Sequence, residues 1–463
     1  MYKAIVIGSG AGGAPVAATL AARWGDGVAI VEAGKQMRAR DFNQRSTDMI
    51  PALYVQSGMQ ATEDGTLPIL QGQTVGGSTV INDALCFRPP PEIVDRWRPY
   101  GVRLGRDELE SLADEVEARL RVQPIPKTHI NRANYLVGLG AARLGWRGER
   151  LRHNAPACLQ CGFRHYGCAY DAKQSMNLTY VPDAIAAGAV LHTETRATQL
   201  HRQGGRWRVI TDRETLEAEI VVVCAGAIQT PTLLLRSGIG AGANLQVHLQ
   251  TIAWGDFEEP VDGHNGIPMS YGVLQFADIY GQQGPGYLIE GCCYQPTAMA
   301  AYAQLQGPEL EAFLARYRYL AGAVMVLRSS SRGRVSLGDG GRPVIDYPVE
   351  EEDRTRIEHF YRQAVPMFQA AGARRVLLSH RDHGWLDAPP AAVHAEPGRA
   401  FLYVAHPFGG ATRGDVLDGD GRVVGHDGLW VLDASGFPEA LGVNPQITIA
   451  SLALRGARQI VES

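Results

Sequence analysis

Lys3-Ala4-Ile5-Val6-Ile7-Gly8-Ser9-Gly10-Ala11-Gly12-Gly13 is the stretch that decides the fold. The apolar residues 3–7 predict a buried parallel strand, and the Ala-rich run Ala14–Arg23 predicts a helix behind it. Val28–Val31 is a second strand, closed by Glu32 and Ala33. A strand, a glycine loop and a helix in this order form the dinucleotide-binding βαβ fingerprint. Gly8 suits the tight turn, Gly10 lets a pyrophosphate approach the backbone, and Gly13 lets the helix close on the strand. The helix N-terminus then faces the phosphates, where free N–H groups and the helix dipole favour negative charge. Glu32 stands where a carboxylate takes ribose hydroxyls. This piece does not separate FAD from NAD.

The 463 residues suffice for two or three domain-sized cores, and 45% apolar with 20% charged residues is ordinary for a globular chain. A net charge of −4 offers no general attraction to nucleic acid or to an anionic membrane. The longest apolar runs, near 220–228 and 320–327, are too short to span a bilayer. With a strand under way by Ala4 there is no room for a signal peptide, so we expect a cytoplasmic protein with mostly reduced thiols. The 54 glycines cluster in particular loops rather than in repeats.

Working outward, a second glycine loop runs Gly72-Gln73-Thr74-Val75-Gly76-Gly77-Ser78-Thr79-Val80-Ile81-Asn82. An NAD-only dehydrogenase has no evident use for it; small residues there let backbone N–H groups crowd a flat ligand or its diphosphate. Helical spacing marks Asp107–Arg121 and Asn131–Leu144 inside an insertion that begins at the prolines 89–91. Cys158, Cys161 and Cys168 follow, with His165 among them. Their C-x2-C-x6-C spacing leaves three readings open: structural thiols or one disulfide, a metal or iron–sulfur site, or a redox relay; no standard zinc pattern matches. Val190–Glu194, Thr198–Arg202 and Trp207–Thr211 read as a β-meander, and Glu219–Val223 as a buried strand ending in Cys224-Ala225-Gly226-Ala227 before a helix at Thr230–Arg236. Residues 248–330 alternate as a mainly antiparallel sheet, with a helix at Gly307–Tyr319 and another at Pro348–Ala370. Acidic residues in this half (Glu258, Glu259, Asp262, Glu290) either recognise an amino or polyhydroxy substrate or are solvated surface charges. In the last stretch, His406 sits in a Pro/Gly-bounded segment, His406-Pro407-Phe408-Gly409-Gly410, read as a loop. Asn444 and Pro445 suit the N-cap and first position of a helix.

Together these pieces resemble the glucose–methanol–choline (GMC) family of flavoprotein oxidoreductases over nearly the whole chain. Gly72–Asn82 resembles the family's first signature, although Gln73 and Cys86 depart from it. Gly226-Ala227, Thr230-Pro231, Leu233-Leu234 and Ser237-Gly238-Ile239-Gly240 resemble the second. His406-Pro407 and Gly442-Val443-Asn444-Pro445 resemble the catalytic pair, with Asn at the second place as in sterol oxidases and choline oxidase. The cysteine segment, with Asp171–Ser175, is similar to a loop of long-chain alcohol oxidase-like branches; the iron–sulfur spacing of a few flavin dehydrogenases is not this one.

The resemblance implies FAD, a Rossmann-like domain interleaved with a substrate domain built on a mainly antiparallel sheet, and oxidation of an alcohol to a carbonyl. The FAD-binding part is expected at 1–88, 180–247 and 400–463, a helical and cysteine-containing insertion at 89–179, and the substrate-binding part at 248–399. By position, Gly8, Gly10, Ala11, Gly13, Glu32 and Ala33 hold the ADP moiety. Gly76, Gly77, Ser78 and Asn82 line the diphosphate and flavin, and Ala197 meets the adenine. Ala225 and Gly226 close the sheet edge, Asp433 and Ala434 hold the ribityl chain, and Asn444 and Pro445 lie beside the pyrimidine edge. Ile81 stands where some members carry a flavin-linking histidine, so noncovalent FAD is expected. His406 is expected as base and Asn444 as the group that orients the substrate hydroxyl, while flavin N5 takes the hydride. No metal is expected. The partners are a small alcohol and oxygen or another electron acceptor. The alternatives are a hydroxynitrile-lyase-like enzyme without net redox change and a non-catalytic FAD-binding protein.

Overall fold

The computed structural model describes residues 1–462; Ser463, at the end of the C-terminal stretch, lies outside the described residues. Two sheets organise the chain. The first has seven strands, ordered Val190–His192, Val28–Val31, Tyr2–Ile7, Thr215–Val223, Arg206–Thr211 and Ala197–Gln203, with Leu429–Val431 added beside Thr215–Val223. Its central strands are parallel and buried on both faces, as their continuous apolar runs require. Val190–His192 joins this parallel set against Val28–Val31 instead of opening the expected meander. The meander comprises only Ala197–Gln203, Arg206–Thr211 and Thr215–Val223.

The helix Gly13–Trp24 packs on this sheet and against the C-terminal helix Gln446–Glu462, through Val16, Ala17, Leu20, Ala453 and Ala457. The helix after Thr215–Val223 starts at Gly226, earlier than periodicity suggested, because Pro231 is accommodated within it.

The second sheet has eight strands and is antiparallel throughout, with Gln246–Asp256, Leu320–Arg328 and Tyr287–Cys292 at its centre. Helices Arg132–Arg143 and Glu351–Ala370 cover one face with Leu136, Val137, Ile357, Phe360 and Phe368. The opposite face looks onto the nucleotide-binding half. Membership crosses the expected divisions at two places. Gly148–Arg150, from the insertion, extends this sheet beside Tyr271–Val273, and Tyr403–Phe408 pairs with Gln246–Asp256. His406 is therefore on an edge strand, not in a loop. Pro407 is tolerated there because its outer side needs no ladder hydrogen bond. No described helix is long and apolar enough to cross a membrane.

Candidate active site

The two glycine loops meet. A Cβ on Gly77 would lie 2.9 Å from Gly10 Cα, and one on Gly13 would lie 1.8 Å from the Gly8 carbonyl oxygen. Gly10, by contrast, has nothing nearer than 3.8 Å on that side, which leaves its backbone open for a ligand. Ser9, which sequence reasoning passed over, joins the loops: its hydroxyl donates to Glu32 at 2.7 Å and accepts the Gly76 amide at 2.9 Å. Glu32 also accepts from the Ser9 and Gly34 amides. Burial raises its pKa, and these bonds together with Arg196 oppose the rise.

These loops border a cavity of about 670 Å³, within the usual range for ligand sites. Of the residues singled out from sequence, Gly8, Gly10, Ala11, Glu32, Ala33, Gly77, Ser78, Asn82, Ala197, Ala225, Gly226, Asp433, Ala434, His406, Asn444 and Pro445 all line it. Gly13 and Gly76 do not; they sit behind the lining as packing positions. Asp433 is more committed than the ribityl role requires. One oxygen accepts from Gly226 N (2.7 Å) and Thr230 Oγ1 (2.6 Å), the other from Ser435 N (2.8 Å) and the Ser435 hydroxyl. It thus ties the C-terminal stretch to the helix Gly226–Arg236.

Asn444 does not cap the last helix. That helix begins at Gln446, the Ile449 amide bonds the Pro445 carbonyl, and Asn444 Oδ1 is buried without a partner. Asn82 donates to Gln446 at 2.5 Å, which joins the second glycine loop to the start of this helix. The open Gly10 backbone, the partnerless Asn444 oxygen and the helix start beside it fit an FAD running from the first loop to the His406 strand.

His406 reaches the cavity through a β-bulge. The pairing of Tyr403–Phe408 with Gln246–Asp256 shifts between His248 and Leu249, so that Ala405 is extra and both Ala405 and His406 fall on the cavity side. Behind His406 lies His248, fully buried beneath the Phe408 ring. The two imidazoles meet Nδ1 to Nδ1 at 3.2 Å, and the Gly442 amide donates to His248 Nε2 at 2.9 Å. His248 therefore links the His406 strand to the loop carrying Asn444; a lone histidine in an apolar strand gave no such signal. Burial lowers the pKa of His406 to about 4, with Asp83 opposing, and burial, His406 and Arg328 lower that of His248.

One wall of the cavity is aromatic. Tyr302 stacks on Tyr403 (5.5 Å) and on Phe401 (4.9 Å), and Tyr294 and Tyr403 share a hydrogen bond of 2.9 Å. The pair Asp83–His165 (2.9 Å) also lines the cavity, with His165 stacked on Tyr294. Lys173, fully buried, donates to the carbonyls of Val80, Asn82 and Arg164 and so pins the second glycine loop to the cysteine segment. The seven cysteines are free thiols, and no group of three or more His, Cys, Asp or Glu among the described residues is arranged to hold a metal.

Of the acidic residues noted in the substrate half, Glu258 and Glu259 are exposed. Glu290 is fully buried behind Asn444, and neither of its oxygens completes a well-formed hydrogen bond. Burial, helped by Asp83, pushes its pKa to about 8, and the nearby Asn444 side chain opposes the rise.

Comparison with known proteins gives the family. Residues 50–250 and 329–453 match the N- and C-terminal parts of the GMC oxidoreductase family. An uncharacterised GMC-type oxidoreductase of Mycobacterium tuberculosis is 34% identical over 99% of this chain and 75% of its own length. A long-chain-alcohol oxidase of Arabidopsis thaliana is 28% identical over 99% of this chain and 67% of its own. The crystal structure of pyridoxine 4-oxidase from Mesorbium loti superposes over the full length of both chains with a TM-score of 0.72 at 20% identity. The chain belongs to the GMC oxidoreductase family. It is an FAD-dependent oxidoreductase acting on CH–OH donors.

Proposed function

We propose that this protein oxidises a primary or secondary alcohol with an apolar or aryl body to the aldehyde or ketone, with His406 against the hydroxyl and Asn444 orienting it. The observation that carries this is the shared cavity: His406 and Asn444 border the same space as both glycine loops, together with a wall of Tyr294, Tyr302, Phe401 and Tyr403. Bound flavin supplies the hydride acceptor. The chain's own part is to seat the alcohol, exclude water and manage the hydroxyl hydrogen. A hydrophobic and aromatic lining favours an apolar substrate, since a sugar's hydroxyls would need more partners than this wall presents. The similarity to long-chain-alcohol oxidases points the same way. We further propose that FAD is held noncovalently, because Ile81 offers no nucleophile where some family members carry a histidine.

The test is anaerobic addition of alkanols, aryl alcohols, sterols and sugars to the flavin-loaded enzyme. Bleaching of the flavin band by apolar alcohols supports the proposal. Bleaching by sugars alone overturns the substrate class, and product without bleaching favours lyase chemistry. Admission of air then shows whether oxygen is the acceptor. His406→Ala is expected to keep its flavin and lose about 100-fold or more in turnover, the range for a positioned group acting on a transferring proton. Acid precipitation should release the flavin into the supernatant.

A further inference from the structure

We propose that His248, held by the Gly442 backbone amide, fixes His406 as the tautomer with hydrogen on Nε2, so that His406 first meets the alcohol oxygen as a hydrogen-bond donor. The inference rests on the alcohol-site reading above and deepens it.

The argument follows the hydrogens. A backbone N–H can only donate, so the Gly442 amide, 2.9 Å from His248 Nε2, requires a bare lone pair there. A neutral imidazole carries one hydrogen, and His248 must therefore hold it on Nδ1. Nδ1 lies 3.2 Å from His406 Nδ1, so His248 is the donor and His406 Nδ1 the acceptor. A neutral His406 whose Nδ1 accepts carries its hydrogen on Nε2. Among the described residues no protein group bonds that nitrogen, and His406 lines the cavity.

The opposite arrangement fails. If His406 Nδ1 carried a hydrogen toward His248, a neutral His248 would have to move its own to Nε2, straight at the Gly442 N–H. His248 and Gly442 are both buried, so no water relieves that contact. An imidazolium at His406 meets the same obstacle, since it too bears hydrogen on Nδ1. Arg328, from the facing strand and paired with Asp278, adds repulsion against charge on His248, while Asp83 faces His406 from across the cavity and favours charge there. The low pKa values of both rings agree with a pair held neutral.

The base role suggested by sequence is thereby revised. In the resting enzyme the nitrogen facing the substrate already holds its hydrogen and donates it to the neutral alcohol oxygen, which holds the hydroxyl in place. It can take the hydroxyl proton at Nε2 only after its own hydrogen has shifted to Nδ1, which costs the His248–Gly442 bond. His248 acts through His406 and is a positioning residue.

The test uses flavin-loaded enzyme labelled with ¹⁵N-histidine, without substrate, with His406→Gln used only to assign the His406 signals. Protonated and bare ring nitrogens differ widely in ¹⁵N shift. Hydrogen on Nε2 of His406 and on Nδ1 of His248 is expected; hydrogen on Nδ1 of His406 overturns the proposal. His248→Phe should release His406 into a mixture of tautomers and lower kcat/KM by about 10- to 100-fold, the range for groups that orient a functional histidine from behind. His248→Asn, whose amide stands near the place of Nδ1, should restore most of both. A His248→Phe enzyme with unchanged tautomer and activity refutes the role. If His248→Phe does not fold, the wild-type spectrum alone still decides. If no alcohol bleaches the flavin, the functional reading fails while the tautomer result stands apart.

Discussion

Glu290→Gln tests a fully buried acid. Glu290 lies on Tyr287–Cys292 between Gly272 and Val324, fully buried, with Asp83 and the thiol of Cys292 nearby and Asn444 as its polar neighbour. Its folded pKa of about 8 stands above the ordinary 4.5. Between these values the folded acid keeps a proton that the unfolded chain has lost, so the unfolded state binds fewer protons and stability falls as pH rises. At 1.36 kcal/mol per unit the whole window is worth about 5 kcal/mol, of which about 3–4 kcal/mol falls between pH 5 and pH 8. Gln has the same shape and no charge, so the variant should gain that amount on the parent over this interval. For a chain of 463 residues the unfolding entropy is about 1 kcal/mol/K, so the gain is about 3–4 °C in Tm. The assay is Tm for parent and variant at matched scan rate from pH 5 to pH 8, with and without flavin; other titrating groups cancel in the difference. Parallel Tm profiles would refute the reasoning and mean that Glu290 ionises inside the fold at its ordinary pKa.

The remaining predictions concern the flavin cradle. Gly13→Ala should lose flavin or fail to fold, because the new Cβ would sit 1.8 Å from a backbone oxygen; full occupancy by the ratio of 450 to 280 nm absorbance would contradict the packing role. Asp433→Ala leaves the Gly226 amide, the Thr230 hydroxyl and the Ser435 amide without their acceptor. At about 1–3 kcal/mol per buried unpaired group, it should destabilise by at least 3 kcal/mol and release FAD, both read by thermal melts with flavin fluorescence. Lys173→Met strips three carbonyls of one buried donor; a lower Tm and weaker flavin retention are expected, and an unchanged flavin affinity would show that the second glycine loop does not depend on it.

Where the backbone alone set the rule, the sequence was legible. Gly8 and Gly13 each answer a steric demand that no other residue meets, and Gly10 leaves its backbone open to a ligand, so their pattern carried the nucleotide half at sight. Asp433 could be placed but not explained, because two of its four partners, Gly226 and Thr230, come from a segment some 200 residues away. Ser9 and His248 were invisible for the same reason: a serine inside a glycine loop and a histidine inside an apolar strand acquire meaning only from Gly76, Glu32, Gly442 and His406, which folding brings to them. Glu290 misled in the other direction. A single acid in an alternating strand reads as outward-facing, and only the sheet's second face, turned toward the cavity half, puts it inside.

The placement of His406 shows how little extra chain separates a loop reading from a catalytic strand. Tyr403 opposes Gln250, and Val404 opposes Leu249 on the covered face, where both join the core beneath the helices. Strict alternation would put Ala405 on the cavity side and return His406 to that core. It would then stand with Val404 as an unpaired imidazole among apolar side chains. The single unpaired residue at the bulge sets His406, instead of Ala405, opposite His248, and so both holds the ring toward the cavity and gives it its Nδ1 partner. The irregular pattern Val404-Ala405-His406-Pro407, which looked like the absence of a strand, is the mark of a bulged one. The orientation of the ring and its tautomer thus have one origin, the register shift between His248 and Leu249.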